Sequence, residues 1–183
     1  WWDSGPVLAA LAEQYPDVLF EHISGYPFIK SNGKNLGTFF IRQEQGGYAK
    51  CVLLARMGYH RVGIVATFPI PEPVREVAAC LLGLQSVWQD ATVRTVWINA
   101  WLDQEKERLA ADGLIAEGLP AIVGIADTPW AQQRTCEEPG LVATGYGSDA
   151  EPFAPCTVIS NTWNWGVYYV PRVKAAMDGT WTS

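Results

Sequence analysis

Histidine and paired cysteines are what this chain lacks most. Its 183 residues include two histidines, His22 and His60, and four cysteines, Cys51, Cys80, Cys136 and Cys156, spaced singly with no C-x-x-C pair. That spacing gives no zinc-ligand pattern and indicates no disulfide-dense scaffold, so the cysteines read as four small buried hydrophobes. Basic residues are also scarce, 13 Lys and Arg against 19 Asp and Glu, for a net charge of −6. The basic face that nucleic acid or an anionic membrane requires is therefore missing. No apolar run approaches the roughly 18 residues of a membrane span, and no basic-then-apolar leader is present. The start at Trp1, without Met, reads as an opening inside a domain.

Motifs of catalysis are missing as well. There is no P-loop, no G-x-S-x-G and no H-E-x-x-H, and His60, beside Arg61, lies at a strand start, the wrong end of a sheet to face a cleft. GYGSDA (145–150) matches the dinucleotide fingerprint and follows a strand, but Glu151, Pro152, Phe153, Ala154 and Pro155 come next where a helix would have to begin. The sequence therefore offers no catalytic residue, no cofactor and no metal site.

What is present is ample core material, 49% hydrophobic residues, in a regular alternation. Short apolar runs at 61–66, 93–98, 121–126 and 141–145 alternate with helical patterns, in which Val74, Val77, Ala78, Leu81 and Trp88 fall near one face and Leu109, Ala110, Gly113 and Leu114 near another. Repeated βα units predict an α/β fold with a parallel, doubly wound sheet. Upstream, 6–15 reads as a helix, 18–23 as a strand and 36–57 as a helix weakened by Gly46 and Gly47. Downstream, 156–160 reads as a strand, leading through Trp163, Asn164, Trp165 and Gly166 into a helix stopped at Gly179, where Pro171 is tolerable only in the first turn or as a kink.

Ligands of open parallel sheets bind beyond the carboxyl ends of the strands. That rule selects 67–68, 99–101, 127–128 and 146–149, where aromatic side chains alternate with amides and carboxylates. The mixture suits a flat heteroaromatic ligand, whose faces stack and whose edges take fixed hydrogen bonds. Phe68, Trp101, Trp130, Trp163 and Trp165 are candidates for stacking, and Asn99, Asp127, Tyr146 and Asp149 for edge contacts. Asp127 also reads as a helix N-cap, a role compatible with the first, and Asp103 before QEKERLAADGL reads more simply as one.

Three stretches in order, ATFPIPEPVREVAACLLGLQSVWQDATV (66–93), WINAWLDQEKERLAADGLIAEG (97–118) and ATGYGSDAEPFAPCTVISNTWNWGVYYVPRVKAAMDGTW (143–181), together with YPDVLFEHISGY (15–26), resemble the basic membrane protein family. These are purine-nucleoside-receptor-like substrate-binding lipoproteins of ABC importers, and the resemblance runs along essentially the whole chain. It implies a type I periplasmic-binding-protein fold, two Rossmann-like lobes joined by hinge crossings, with ligand in the cleft. Residues 60–151 would form a nearly complete C-terminal lobe, and 1–59 with 152–183 an N-terminal lobe that lacks its opening strands. The crossings would fall near Tyr59 to Arg61 and Asp149 to Pro152, and the strands at 18–23 and 156–160 would lie beside unpaired edges.

The resemblance further implies a purine base or nucleoside as ligand, ABC permease and ATPase subunits as partners, and a periplasmic or cell-surface location through a lipid anchor upstream. The expected ligand-binding residues, taken from the strand ends and the stacking candidates, are Phe68, Asn99, Trp101, Asp127, Tyr146, Asp149, Trp163 and Trp165. Gly147 stands where the family carries an earlier aspartate that helps hold ribose, leaving Asp149, and Trp163 stands in place of a lysine common in nucleoside-binding members. Losing both sugar-reading groups moves the expected ligand from nucleoside toward free base. A ligand-sensing domain of the same fold and a Rossmann-like enzyme acting on nucleosides remain the alternatives.

Overall fold

The computed structural model describes residues 5–24 and 34–183, so the end of the 15–26 motif lies outside the described residues. Two units divide the chain, 1–42 with 164–183 and 43–163. The larger is a five-stranded parallel sheet in which β3 (Arg61–Ala66), β4 (Thr92–Trp97), β5 (Ala121–Ile125), β6 (Val142–Gly147) and β7 (Thr157–Thr162) take the order β4-β3-β5-β6-β7. The chain starts in the middle, steps outward to β4 and then runs the other way, so β3 and β5 flank the point where the winding reverses. This is the doubly wound arrangement that the βα alternation predicts.

Helices cover both faces of that sheet. On one side α2 (Gln43–Arg56) packs on α3 (Pro71–Gln85), and Cys51, Leu54, Cys80 and Leu84 join Val62, Ile64 and Val123 in one core. On the other, Ala110, Ala111 and Leu114 of α4 (Gln104–Ala116) and Ala131 of α5 (Trp130–Cys136) pack with Val65 and Ile122. The buried face of α3 runs through Pro73, Glu76, Ala79, Cys80, Gly83 and Leu84; Val74, Ala78 and Trp88, which share the predicted stripe, are exposed. The close approach of α2 sets this rotation. A Cβ on Gly47 would lie 2.7 Å from Glu76 Cγ, so only glycine lets the two helices meet here.

The cysteine expectation is corrected. Cys51 is bonded to Cys80, joining α2 to α3, and Cys136 to Cys156, joining the end of α5 to the start of β7. Partners 29 and 20 residues apart in sequence leave no spacing motif, and only the packing of the elements brings them together. The 36–57 helix is corrected too, since Leu36–Phe39 is a strand, β2, and only Gln43–Arg56 is helical. A four-residue apolar run such as LGTF fits either period, and pairing decided it.

The larger unit also exceeds the 60–151 span at both ends, because α2 packs on α3 and β7 pairs with β6. The chain passes between these two units at 42/43 and 163/164. Among the described residues β1 (Phe20–Ile23) pairs only with β2 and β7 only with β6, so each flanking strand keeps one open edge, as expected.

The smaller unit holds α1 (Gly5–Gln14), β1, β2 and α6 (Gly166–Met177). Asn35 ties α1 to the start of β1 by donating to the carbonyls of Ala12, Tyr15 and Val18 at 2.9–3.0 Å. Glu21 gathers α6 and the following tail, accepting from Tyr168 Oη and Trp181 Nε1 at 2.8 Å and from Arg172. Partial burial and that carboxylate push the Tyr168 phenol up to about 12. Pro171 lies inside α6 past its first turn, and no α6 residue is buried. Among the described residues no helix is long and apolar enough to cross a membrane.

Candidate functional site

At the carboxyl ends of β5 and β6 a pocket of about 270 Å³ opens, lined by Asp127, Thr128, Pro129 and Trp130 from one loop, Gln132 and Gln133 of α5, and Tyr146, Ser148, Asp149, Ala150 and Phe153 from the β6 side. Three of the eight expected residues, Asp127, Tyr146 and Asp149, therefore share one cavity. Trp163 stands beside it, its ring edge-on to Tyr146 at 5.8 Å. Gly147 adopts φ +72°, a left-handed conformation that suits glycine, and a Cβ there would meet Trp163 Nε1 at 3.4 Å.

Phe68 and Trp101 form a second aromatic pair, 5.1 Å apart, beyond the ends of β3 and β4. The Asp127 amide donates to the Trp101 carbonyl at 3.1 Å, which links that pair to the pocket loop, while the Asn99 amide donates to the Thr67 carbonyl. Asn99 itself is exposed and left-handed, φ 51°. Trp165 belongs to the smaller unit, where it stacks on Tyr169 at 5.9 Å.

Asp127 is not a helix cap. Pro129 occupies the N-cap of α5 without a side-chain cap bond, and the Asp127 carboxylate makes no hydrogen bond to the described residues. Partial burial raises its pKa. Asp103 does cap α4, its Oδ1 accepting from the Lys106 amide at 3.1 Å, and that bond lowers its pKa. The Tyr146 phenol is pushed far up, first by burial and then by the charges of Glu76, Glu72 and Asp127, so it stays a neutral donor.

Two buried groups behind the pocket wall escaped the sequence reading. Lys50 is wholly buried, donates to Glu76 at 2.8 Å and to the Gly145 carbonyl at 3.2 Å, and sits 5.6 Å over the Tyr146 ring. Burial raises the Glu76 pKa and Lys50 opposes it. Glu107 of α4, also wholly buried, accepts from Thr128 Oγ1. The signal for Glu107 is its place four residues after the cap Asp103, whose amide donates to it. Lys50 and Glu76 lie 26 residues apart and carry no local signal. Among the described residues no cluster of His, Cys, Asp and Glu could hold a metal.

The family model for ABC transporter substrate-binding proteins, PnrA-like, matches residues 6–183. The chain belongs to that family. It is 37% identical over 175 residues to a purine-binding protein of Brucella abortus (strain 2308), covering 94% of this chain and 49% of that one. A Haloferax volcanii protein described as a candidate ABC transporter glucose-binding protein is 35% identical, over 94% of this chain and 43% of its own length. The chain thus spans about half the length of these curated relatives.

Solved structures agree on the fold. A solute-binding protein of an ABC transporter system from Aeropyrum pernix K1 superposes with TM-score 0.80 at 16% identity, over 98% of this chain and 53% of its own. A transcriptional activator from Bacillus halodurans gives 0.81 at 21%, over 100% and 63%. The PnrA-like chain therefore has the α/β type I periplasmic-binding-protein fold, in part. Its family is a class of substrate-binding transporter components rather than of enzymes.

Proposed function

We propose that this PnrA-like protein is the extracytoplasmic solute-binding component of an ABC importer and that it takes a purine, the free base in preference to its nucleoside. The observation that carries this reading is the pocket at the ends of β5 and β6, where Trp130, Tyr146 and Phe153 offer ring faces and Asp127, Gln133, Ser148 and Asp149 offer edge contacts. The Brucella abortus relative, described as purine-binding, supports the ligand class. Trp163 against Gly147, where sugar-reading groups are expected, supports the base over the nucleoside. Phe68, Asn99, Trp101 and Trp165 complete the proposed ligand-binding set in the whole protein.

Location outside the cytoplasm, in the periplasm or at the cell surface through a lipid anchor, is supported by Cys51–Cys80 and Cys136–Cys156, since such bonds persist in oxidising compartments. Permease and ATPase subunits are the proposed partners, and binding proceeds without turnover. Titration calorimetry of adenine, guanine, hypoxanthine, their nucleosides and glucose tests the ligand. Tighter binding of nucleosides would sink the preference for the base, and binding of glucose alone would replace the purine.

A further inference from the structure

We propose that Glu107 fixes Thr128 as a hydrogen-bond acceptor in the pocket, so that the site selects purines carrying an exocyclic amino group over purines without one. This rests on the reading of the pocket as a purine site.

At Thr128 and Asp127 the pocket wall offers acceptors, while Tyr146, Ser148 and Gln133 bring donors to the rest of the lining. Glu107 is wholly buried on α4, and its Oε1 receives both the Thr128 hydroxyl and the Asp103 amide, the latter at 3.4 Å. Burial raises the Glu107 pKa, and the Thr128 hydroxyl with the amides of Asp103, Ala131 and Trp130 opposes that rise, while Oε2 completes no hydrogen bond. The groups named as contacting this carboxylate, the Thr128 hydroxyl and the three amides, are all donors. Thr128 has a single proton to give, and Glu107 takes it, leaving only lone pairs for a ligand.

Gln132 repeats the pattern. Its Nε2 donates to the Thr144 carbonyl at 3.2 Å, which can only accept, so the orientation of the amide is settled by its partner. The other end, Oε1, is buried without a partner close to Gly124 of β5. Asp127 adds a carboxylate free of hydrogen bonds to the described residues, and Asp149 retains one oxygen, since Oδ1 accepts from the Glu151 amide at 3.2 Å. Thr128, Asp127 and Asp149 thus bring three acceptors to one cavity.

An exocyclic amine brings two N–H donors to such a wall. A carbonyl in its place, as in hypoxanthine, sets lone pairs against lone pairs, and an unsubstituted ring leaves the acceptors bare on burial. A site built to receive N–H groups discriminates against analogues that lack them far more strongly than an apolar pocket discriminates a methylene. Glu107 acts here through Thr128 and touches no ligand, which makes it a positioning residue.

The test uses the purified full chain, freed of co-purifying solute by unfolding and refolding, titrated with purine, 2-aminopurine, adenine and hypoxanthine. Adenine or 2-aminopurine is expected to bind at least about tenfold more tightly than purine and hypoxanthine. Glu107→Ala releases the Thr128 hydroxyl and brings the ratio of adenine to hypoxanthine affinity toward one, whereas a merely loosened wall weakens both alike and leaves the ratio unchanged. Thr128→Val and Thr128→Ser decide the matter without disturbing Glu107, the first abolishing the preference and the second keeping it. Hypoxanthine or purine binding as well as the amino-bearing bases would overturn this inference and leave the purine reading intact. Binding of none of the four would overturn the purine reading, and the inference with it.

Discussion

Asp127 is the side chain whose chemistry is least committed, a pocket carboxylate with no cap to serve and no hydrogen bond among the described residues. Asp127→Asn is expected to weaken purine binding about tenfold, the worth of one charge-assisted hydrogen bond. Its stability effect has a definite sign. A carboxyl whose pKa is raised on folding contributes stability that is full below its unfolded pKa and is lost as pH rises through the folded one, so the asparagine variant should unfold no earlier than the wild type at neutral pH. Calorimetry of binding and of unfolding at pH 7 checks both, and an earlier melt would show that the carboxylate holds structure after all. Lys50 and Glu76 behave oppositely, because each is fully buried against the other. Lys50→Met should cost about 3–5 kcal/mol by stranding Glu76, and Lys50→Met with Glu76→Leu should recover much of that loss. Denaturant titration of both variants decides it, and a double variant no better than the single one would count against a penalty of stranded charge.

At the scale of elements, the strands were the legible part, because β3, β4, β5 and β6 are short apolar runs bounded by turns and separated by helical patterns, and the carboxyl-end rule then pointed to Asp127, Tyr146 and Asp149 directly. Contacts made by packing were not. Cys51 and Cys80 meet only because α2 lies on α3, and the exposure of Leu109 and Val74 follows from how α4 and α3 are rotated, which no count along the chain reveals. The same holds for Trp163, which follows β7 and meets Tyr146 of the adjacent strand β6. Removing the α2–α3 bridge with Cys51→Ala and Cys80→Ala should lower stability by about 2–5 kcal/mol. Urea unfolding measures the loss, and intact mass before and after reduction shows whether both bridges exist in the isolated protein. An unchanged midpoint would mean that the helices hold each other without the bond.

Over the whole molecule, stability is expected to be uneven. The 43–163 unit has five paired strands covered on both faces, while the described residues of the other unit form two strands, α1 and α6, and α6 buries no residue and leaves Val167 and Met177 72% and 81% exposed. Hydrogen exchange read by mass spectrometry should find slow amides concentrated in 43–163 and fast ones in 164–183; uniform protection would refute this reading. Within the slow unit, the Cys136–Cys156 bond ties off the two ends of the segment that carries Tyr146, Ser148, Asp149 and Phe153. That segment is thus confined before any solute arrives, and capture costs less ordering entropy than it would on an open loop. The reduced protein should consequently hold purine more weakly than the oxidised one, and equal affinities would disprove it. A newly made chain with its thiols still free would then let cytoplasmic purines go, and begin to retain solute only once it has reached an oxidising space.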